Sequence, residues 1–309
     1  MATAGHVAVV GTGTVGASWA ANMLAQGRDV VATDPGPDAE AVLRRRVGQA
    51  WPALQQLGMV VDGATPDRLR FVDEVGEAVE GAAFVQESAP EREELKVELL
   101  AAIDAACRPE VVIASSSSGL LISRISAETR HPERCVIGHP FNPPHLMPLV
   151  EVVGGPATAP ESVEAAMEFY RRIGKQPIHI RREVVGHIAN RIQAAIFREA
   201  LHLLDQGVAD VADIDAAVRN GPGIRWALMG PFLTFHLAGG DGGIEHFVEH
   251  LSEPYNAWMA DLGEARITPD NSEEIIAGVL AEVAGRPMAE LVRRRDEALV
   301  HVLSTVNPL

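Results

Sequence analysis

The stretch His6-Val-Ala-Val-Val-Gly11-Thr-Gly13-Thr-Val-Gly16 decides the fold of the first half of the chain. Its apolar run predicts a short strand, its glycines predict a turn, and the residues that follow are compatible with a helix as far as Gln26. A second apolar strand begins at Asp29 and finishes at Asp34. This succession predicts a βαβ unit in which an anionic group lies at the helix N-terminus.

Each glycine of the turn has its own physical role. Gly11 makes the tight turn, Gly13 lets the backbone approach a pyrophosphate, and Gly16 permits close packing of helix on strand. Asp34 follows the glycine turn at about the sequence separation expected for a carboxylate that accepts from a ribose 2′-hydroxyl. It is followed by Pro-Gly-Pro-Asp, without an adjacent arginine for a 2′-phosphate, so NAD is favoured over NADP. The residues predicted to hold the cofactor here are Gly11, Thr12, Gly13, Thr14, Val15, Gly16 and Asp34.

The composition of the 309-residue chain narrows the classes of partner. A formal net charge of −16 argues against nucleic acid and against an anionic membrane, because both require concentrated positive charge. No apolar run approaches the roughly 18 residues of a membrane span, and no signal peptide is recognisable. Two cysteines, Cys107 and Cys135, without paired spacing fit a reducing compartment. We therefore expect a cytoplasmic protein with a small-molecule ligand.

Apolar strands continue to alternate with amphipathic helices up to about Glu183, which predicts a parallel, doubly wound α/β sheet of the Rossmann type. After Gly186 the apolar residues recur only at helical spacing. We therefore expect an NAD-binding domain over residues 1–183 and an all-helical domain over residues 184–309. Further strands are predicted at Leu69–Val72, Ala82–Glu87, Val111–Ser115, Val136–Phe141, Leu149–Val153 and Gln176–Ile180.

The stretch from Gly138 to Val153 carries candidate acid–base chemistry. His139 follows an apolar strand-like run, Glu151 lies inside the next one, and four prolines between them stiffen the connection. A carboxylate can accept the Nδ1–H bond of an imidazole, fix its tautomer and stabilise the imidazolium. The pair is therefore a candidate general base, and the alternative is a proline-rich turn with a satisfied histidine.

Polar residues also follow another predicted strand. The serine run 115–118 ends the strand that begins at Val111, and strand carboxyl ends line the ligand crevice of an open α/β sheet. Its hydroxyls can contact a substrate oxygen or the nicotinamide ribose, or they can make local bonds to the backbone. Asn190 is predicted one turn inside a long helix, where asparagine has poor propensity and needs a reason.

Three consecutive arginines, Arg44 to Arg46, lie on the long helix predicted from Ala39 to Leu57. They suit either a phosphate-bearing substrate tail or a solvated helix face, and the sequence favours the solvated face.

The chain resembles the 3-hydroxyacyl-CoA dehydrogenase superfamily over essentially its full length, on motifs that occur together and in order. They are the glycine turn with Asp34, Gln86-Glu-Ser-Ala-Pro-Glu91 with Lys96, the serine run, His139-Pro-Phe-Asn-Pro-Pro144, and Gly186 with Asn190-Arg191. The resemblance implies that His139 is the catalytic base, that Glu151 is its partner, and that Ser118 and Asn190 orient the substrate oxygen. It implies NAD as cofactor, held in part by Glu91, Lys96, Ser118 and Asn142, and a homodimer formed through the helical domain.

The activity implied is the reversible NAD-dependent oxidation of the 3-hydroxyl of a small 3-hydroxy acid. The second half resembles most the branch that acts on free acids such as L-gulonate and L-carnitine, through Gly221-Pro-Gly-Ile-Arg225-Trp-Ala-Leu-Met-Gly-Pro231. Arg225 can grip a free carboxylate with two parallel N–H bonds, or it can form a structural ion pair. Trp226 can cover a quaternary ammonium group, although packing in the core is the favoured role. An acyl-CoA thioester such as 3-hydroxybutyryl-CoA is the alternative substrate.

Two readings from other classes remain to be weighed. His246-Phe-Val-Glu-His250 matches an H-x-x-E-H zinc pattern, with His236 as a possible third ligand. The glycines that precede it fit a helix start, so no metal is expected. A non-catalytic NAD-binding or crystallin-like protein is the other alternative, and the complete set of Ser118, His139, Glu151 and Asn190 argues against it.

Overall fold

The protein is described here by a computed structural model of residues 5–306, whose chain divides into two compact units between Asn190 and Arg191. In the first unit strands alternate with helices. The strands are β1 (Val7–Val10), β2 (Val30–Thr33), β3 (Leu69–Phe71), β4 (Phe84–Glu87), β5 (Ile113–Ser115), β6 (Cys135–Pro140), β7 (Leu149–Gly154) and β8 (Gln176–Ile180). The helices are α1 (Thr14–Ala25), α2 (Ala39–Gln56), α3 (Val75–Val79), α4 (Glu93–Ala106), α5 (Ile122–Ile125) and α6 (Pro160–Arg172).

The eight strands of the first unit form one sheet in the order β3-β2-β1-β4-β5-β6-β7-β8. Strands β1 to β6 pair in parallel, as the alternating sequence predicted. The order reverses at β1, where β2 lies on one side and β4 on the other, so the sheet has the topological switch point of a doubly wound fold. The predicted fold class is confirmed.

Strand β7 departs from the predicted parallel sheet, because it pairs with β6 in the antiparallel direction. Residues 141–148 join the two strands, and so short a connection cannot cross over the sheet to start a parallel neighbour. Strand β8 then pairs with β7 in parallel, after helix α6 has made the crossover. After β6 the chain therefore turns back, and β7 runs alongside β6 in the opposite direction.

Both faces of the sheet are covered. Alternate residues of β1 belong to different hydrophobic clusters: Val7 and Val9 pack on the side of α1, α2 and α6, while Ala8 and Val10 pack on the side of α4 and α5. This two-sided burial explains the continuous apolar runs of the strands, since a strand covered on both faces has no polar side.

In the second unit every described regular element is a helix. Helix α7 (Ala189–Asp205) begins at the end of the first unit, and Gly207 follows it with φ of 63°. The other helices are α8 (Val211–Asn220), α9 (Pro222–Trp226), α10 (Pro231–Ala238), α11 (Gly243–His250), α12 (Ser252–Asp261), α13 (Pro269–Val283) and α14 (Met288–Thr305). Helix α13 begins with a capping box between Thr268 and Asn271. None of the described helices is long and apolar enough to cross a membrane.

Candidate active site

The glycine turn between β1 and α1 leaves one face open. A Cβ atom on Gly16 would lie 1.9 Å from the carbonyl oxygen of Gly11, and Gly11 itself has φ of 91°. Both positions therefore require glycine. A Cβ on Gly13 would meet no atom within 4 Å, and Gly13 and Thr14 are exposed at the N-terminus of α1. The open backbone and the unpaired amides of the helix start fit the diphosphate of a dinucleotide.

Asp34 closes this turn from the end of β2. Its Oδ2 accepts from the amide of Thr12 at 2.6 Å, and its Oδ1 accepts from the amide of Gly36 at 2.8 Å. Asp34 is half-buried, so the carboxylate borders the turn at the place where an adenosine ribose is expected.

His139 and Glu151 are direct cross-strand partners in the antiparallel β6–β7 pair. Nδ1 of His139 lies 2.8 Å from Oε2 of Glu151, and both side chains are buried. Because an ionised carboxylate can only accept, Nδ1 carries the proton and Nε2 keeps its lone pair. The pair was predicted to rest on a stiff proline loop, but the register of two strands positions it instead.

The other oxygen of Glu151 lies at the start of helix α7. Oε1 accepts from the amides of Ile188 at 2.8 Å and Ala189 at 2.9 Å. Burial by itself would raise the pKa of Glu151, but the hydrogen bonds from His139 and from the two amides outweigh it and lower the pKa. The carboxylate therefore stays charged beside the imidazole, which can stabilise an imidazolium once it forms.

Asn190 lies in the first turn of α7, and not one turn inside the helix as predicted. Gly186 and His187 both have positive φ, which breaks the chain direction just before the helix starts. Nδ2 of Asn190 donates to the carbonyl oxygen of Ser118 at 3.2 Å, so the two predicted substrate-orienting residues are neighbours. The second amide N–H of Asn190 remains as a further donor, while the exposed hydroxyl of Ser118 donates to Oε1 of Glu91 at 3.3 Å and keeps its lone pairs as acceptors.

The serine run is held by Glu91. Its Oε1 accepts from the hydroxyl of Ser117 at 2.7 Å and from the amides of Ser118 at 2.9 Å and Gly119 at 3.0 Å. Burial would raise the pKa of Glu91, but these bonds and the charge of Lys96 lower it. Glu91 is thus a charged anchor of the loop that carries Ser118.

Lys96 is almost fully buried, with 1% of its side chain exposed. Its Nζ lies 2.7 Å from Glu87, 3.0 Å from the carbonyl of Ala89 and 3.8 Å from Glu91. The amine of Lys96 thus contacts protein groups on all these sides. Asn142, which was also expected at the cofactor, is exposed. Glu87, which the sequence reasoning passed over, also accepts from the hydroxyl of Ser115.

The loop 141–148 is held in place by Ser18 and Lys175, which no sequence pattern indicated. The hydroxyl of Ser18 on α1 accepts from the amide of His145 and forms a second hydrogen bond with Nδ1 of the same residue, both at 2.7 Å. Nζ of Lys175 donates to the carbonyls of Pro144 at 2.5 Å and Met147 at 3.3 Å, and lies 5.9 Å from the ring centroid of Trp19. Burial lowers the pKa of Lys175 to about 7.

His187 is a second buried imidazole beside the pair. Its ring centroid lies 5.1 Å from that of His139, and its Nε2 donates to the carbonyl of Ser117 at 3.1 Å. Burial lowers the pKa of His187, so it is neutral while it holds the serine loop. The only sequence signal was its position between Gly186 and Asn190.

The remaining predicted residues belong to the second unit. Arg225 is exposed on the short helix α9. Trp226 follows it and is 41% exposed, so the favoured prediction that it packs in the core is wrong. The rings of His246 and His250 lie 4.6 Å apart on α11, and Nδ1 of His236 accepts from the amide of Ile244 at 3.0 Å. Within residues 5–306 no group of three or more His, Cys, Asp and Glu side chains could hold a metal ion.

Comparisons with known proteins place these features in context. Residues 6–184 match the family model described as "3-hydroxyacyl-CoA dehydrogenase, NAD binding domain", and residues 186–276 match "3-hydroxyacyl-CoA dehydrogenase, C-terminal domain". The L-carnitine dehydrogenase of a Pseudomonas species is 49% identical over 299 residues, which cover 97% of this chain and 93% of that protein. The L-carnitine dehydrogenase of Streptomyces griseus subsp. griseus is 49% identical over 304 residues, covering 98% and 90%.

A solved structure is similar along the whole chain. It is the 5-formyl-3-hydroxy-2-methylpyridine 4-carboxylic acid 5-dehydrogenase, described as an NAD+-dependent dismutase. It has a TM-score of 0.84 and 30% sequence identity, and the match covers 98% of this chain and 99% of that chain.

Proposed function

Because the chain belongs to the 3-hydroxyacyl-CoA dehydrogenase family, as its motifs predicted, and is an NAD-dependent dehydrogenase of a 3-hydroxy acid, we propose that its substrate is L-carnitine. The observation that carries this proposal is the 49% identity, over nearly the whole chain, to relatives named L-carnitine dehydrogenase. The alternative substrates are L-gulonate and a 3-hydroxyacyl-CoA thioester.

In the proposed mechanism His139 takes the proton of the C3 hydroxyl on Nε2. The bond from Nδ1 to Glu151 supports this role, because it fixes the tautomer that leaves Nε2 free. NAD, when bound, supplies the acceptor for the hydride that leaves C3. The proton ends on His139, the imidazolium is stabilised by Glu151, and the product is the 3-keto acid. Reduction uses the same groups in reverse.

The substrate oxygen is proposed to lie between donors from Ser118 and Asn190. Their direct contact, Asn190 Nδ2 to the Ser118 carbonyl, supports a shared role. Asn190 keeps a second amide N–H for a ligand, and the hydroxyl of Ser118 can turn from its long 3.3 Å bond with Glu91 to the substrate oxygen. We assign Glu91, Lys96 and Asn142 to the cofactor. Glu91 and Lys96 act by holding other protein groups in place: Glu91 binds the serine loop, and Lys96 binds Glu87.

L-carnitine carries a carboxylate and a trimethylammonium group, and the second unit offers a residue for each. Arg225 is proposed to bind the carboxylate, because an exposed guanidinium can form two parallel hydrogen bonds with it. The adjacent Trp226 presents an exposed ring, which attracts a quaternary ammonium through its π face. The assignment rests on the chemistry of the two side chains.

The experiment is a comparison of NADH formation with L-carnitine, L-gulonate, 3-hydroxybutyrate, 3-hydroxybutyryl-CoA and 3-hydroxy-5,5-dimethylhexanoate. The last compound replaces the nitrogen of carnitine by carbon and keeps its shape without the charge. We expect kcat/KM to be highest for L-carnitine and about tenfold or more lower for the neutral isostere. A preference for the thioester would overturn the proposal and the role of Arg225 together.

We also propose a cytoplasmic homodimer that forms through the second unit. Large apolar side chains are exposed there, among them Phe232 at 85% and Trp258 at 60%, and such surfaces mark interaction sites. The two cysteines are buried and unpaired, which suits a reducing compartment. Sedimentation equilibrium is expected to give twice the mass of one chain, and a monomer at micromolar concentration would contradict the dimer.

A further inference from the structure

The three arginines of helix α2 have different surroundings. Arg44 forms an ion pair with Glu40 at 2.8 Å and donates to the carbonyl of Leu69 at 3.2 Å. Arg45 is exposed. Arg46 is half-buried, and its Nη1 donates to the carbonyl oxygen of Thr12 at 3.3 Å. Arg46 thus reaches the glycine turn, although the sequence separates it widely from that motif.

The positive charge of Arg46 is not neutralised at the turn. Across the part of the chain that the structure describes, it forms no ion pair with a carboxylate within 4.0 Å. Asp34, which borders the same turn, uses its two oxygens on the amides of Thr12 and Gly36. A guanidinium has five N–H donors, so Arg46 keeps donors and its full charge beside the glycine turn.

We propose that Arg46 is a cofactor-binding residue that contacts the adenosine diphosphate half of NAD and, together with Asp34, decides whether a 2′-phosphate is admitted. The helix N-terminus alone supplies about half a unit charge for the diphosphate, and the carboxylate of Asp34 opposes any anion placed beside it. Arg46 offsets that repulsion in a chain whose net charge is −16.

The two residues have opposite effects on a 2′-phosphate. With Asp34 in place the phosphate meets a carboxylate and is rejected, so the enzyme stays selective for NAD. Without that carboxylate, the same guanidinium is a ready partner for the phosphate, which it can hold with two hydrogen bonds. The chain therefore carries an arginine that could also hold a 2′-phosphate, and the carboxylate of Asp34 prevents that second use.

The first test measures binding and not turnover. The dissociation constants of NADH, by fluorescence, and of ADP-ribose, by calorimetry, are compared for the wild type, Arg46→Gln and Arg45→Gln. We expect Arg46→Gln to weaken both ligands about tenfold or more, the loss of one charge-assisted bond. Arg45→Gln removes the same charge from the exposed neighbour and is expected to change them less than about twofold. Equal losses in the two variants would overturn the proposal.

The second test uses NADPH as the probe, with Asp34→Ser and Asp34→Ser/Arg46→Gln. We expect the single variant to bind NADPH at least about tenfold more tightly than the wild type does, and the double variant to lose that gain. Equal NADPH affinity in the two variants would contradict the role of Arg46. Circular dichroism and thermal melting check that each variant is folded. No hydroxy acid is present, so the outcome is independent of the L-carnitine assignment.

Discussion

The two nitrogens of His139 have different surroundings. Nδ1 is committed to Glu151 at 2.8 Å, while Glu151 is itself committed to the amides of Ile188 and Ala189. The imidazole therefore has a fixed tautomer and a fixed ring orientation before any substrate binds. If His139 is the base, as proposed, the site does not have to reorganise during proton transfer, which is how protein sites lower barriers.

Replacing His139 by asparagine tests this assignment. We expect kcat for hydroxy-acid oxidation to fall about 10²- to 10⁴-fold, because the general base is lost. The dissociation constant of NADH is expected to stay within about twofold, since the cofactor turn lies on other strands. His131→Asn, at an exposed histidine, is the matched control. A His139→Asn enzyme with near-normal kcat would exclude the base role.

The sequence motifs indicated the residues whose side chains can act on a ligand, but not the residues that hold the neighbouring loop in place. His139, Glu151, Ser118 and Asn190 stand in recognisable motifs. Ser18 and Lys175 do not, because a serine in an apolar helix and a lysine after a glycine carry no signal of their own. Ser18 meets His145 across 127 residues, and such a pairing follows from the fold and not from local spacing.

At the scale of elements, two glycines of the turn are needed for different reasons, one for the fold and one for a ligand, which the sequence motif does not distinguish. Gly16 is needed for the protein, because a Cβ there would lie 1.9 Å from the Gly11 carbonyl. Gly13 is open on its outer side, with φ of −58° that any residue can adopt. Its lack of a side chain is therefore of use to a ligand.

The pair Gly16→Ala and Gly13→Ala makes this separation measurable. We expect Gly16→Ala to lower the free energy of unfolding by about 1–3 kcal/mol, because the backbone must move. Gly13→Ala is expected to change stability by less than about 0.5 kcal/mol. It should nevertheless weaken NADH binding about tenfold or more, since its methyl group occupies the diphosphate face. Urea unfolding and NADH titration give both numbers, and equal stability of the two variants would contradict the steric argument.

The order of elements was largely predictable, and the direction of β7 was not. Apolar strands and amphipathic helices are local patterns with clear periods, so the alternation through β6 followed from the sequence. The sequence patterns did not indicate the direction of β7, because strand direction depends on the length of the connection, and residues 141–148 leave no room for a crossover.

For the whole molecule, Lys175 links stability to pH. It is 4% exposed, and burial lowers its pKa to about 7, from 10.5 in the unfolded chain. Between these two values the unfolded state binds the extra proton, so stability rises with pH in that window. Below about pH 7 both states are protonated, and the full cost of burying the charge remains.

Lys175→Met removes this dependence. Between pH 6.5 and 9.5 we expect the free energy of unfolding of the wild type to rise, relative to that of the variant, by an amount on the order of 3 kcal/mol. Urea unfolding at the two pH values, at one protein concentration, measures the difference. All other titrations are common to both proteins and cancel in it. Parallel pH curves for the wild type and Lys175→Met would show that Lys175 is not the group responsible.

The antiparallel pairing of β6 and β7 makes the contact of His139 with Glu151 independent of the side chains of the loop that joins the two strands. His139 and Glu151 face each other through strand register, while the intervening segment 141–148 is gripped mainly by its carbonyls and one amide. Main-chain anchors tolerate changes of side chain. The exposed side chain of Asn142 can therefore change without disturbing the pairing of His139 with Glu151. Changes in this loop therefore leave the strand register that aligns His139 with Glu151 intact.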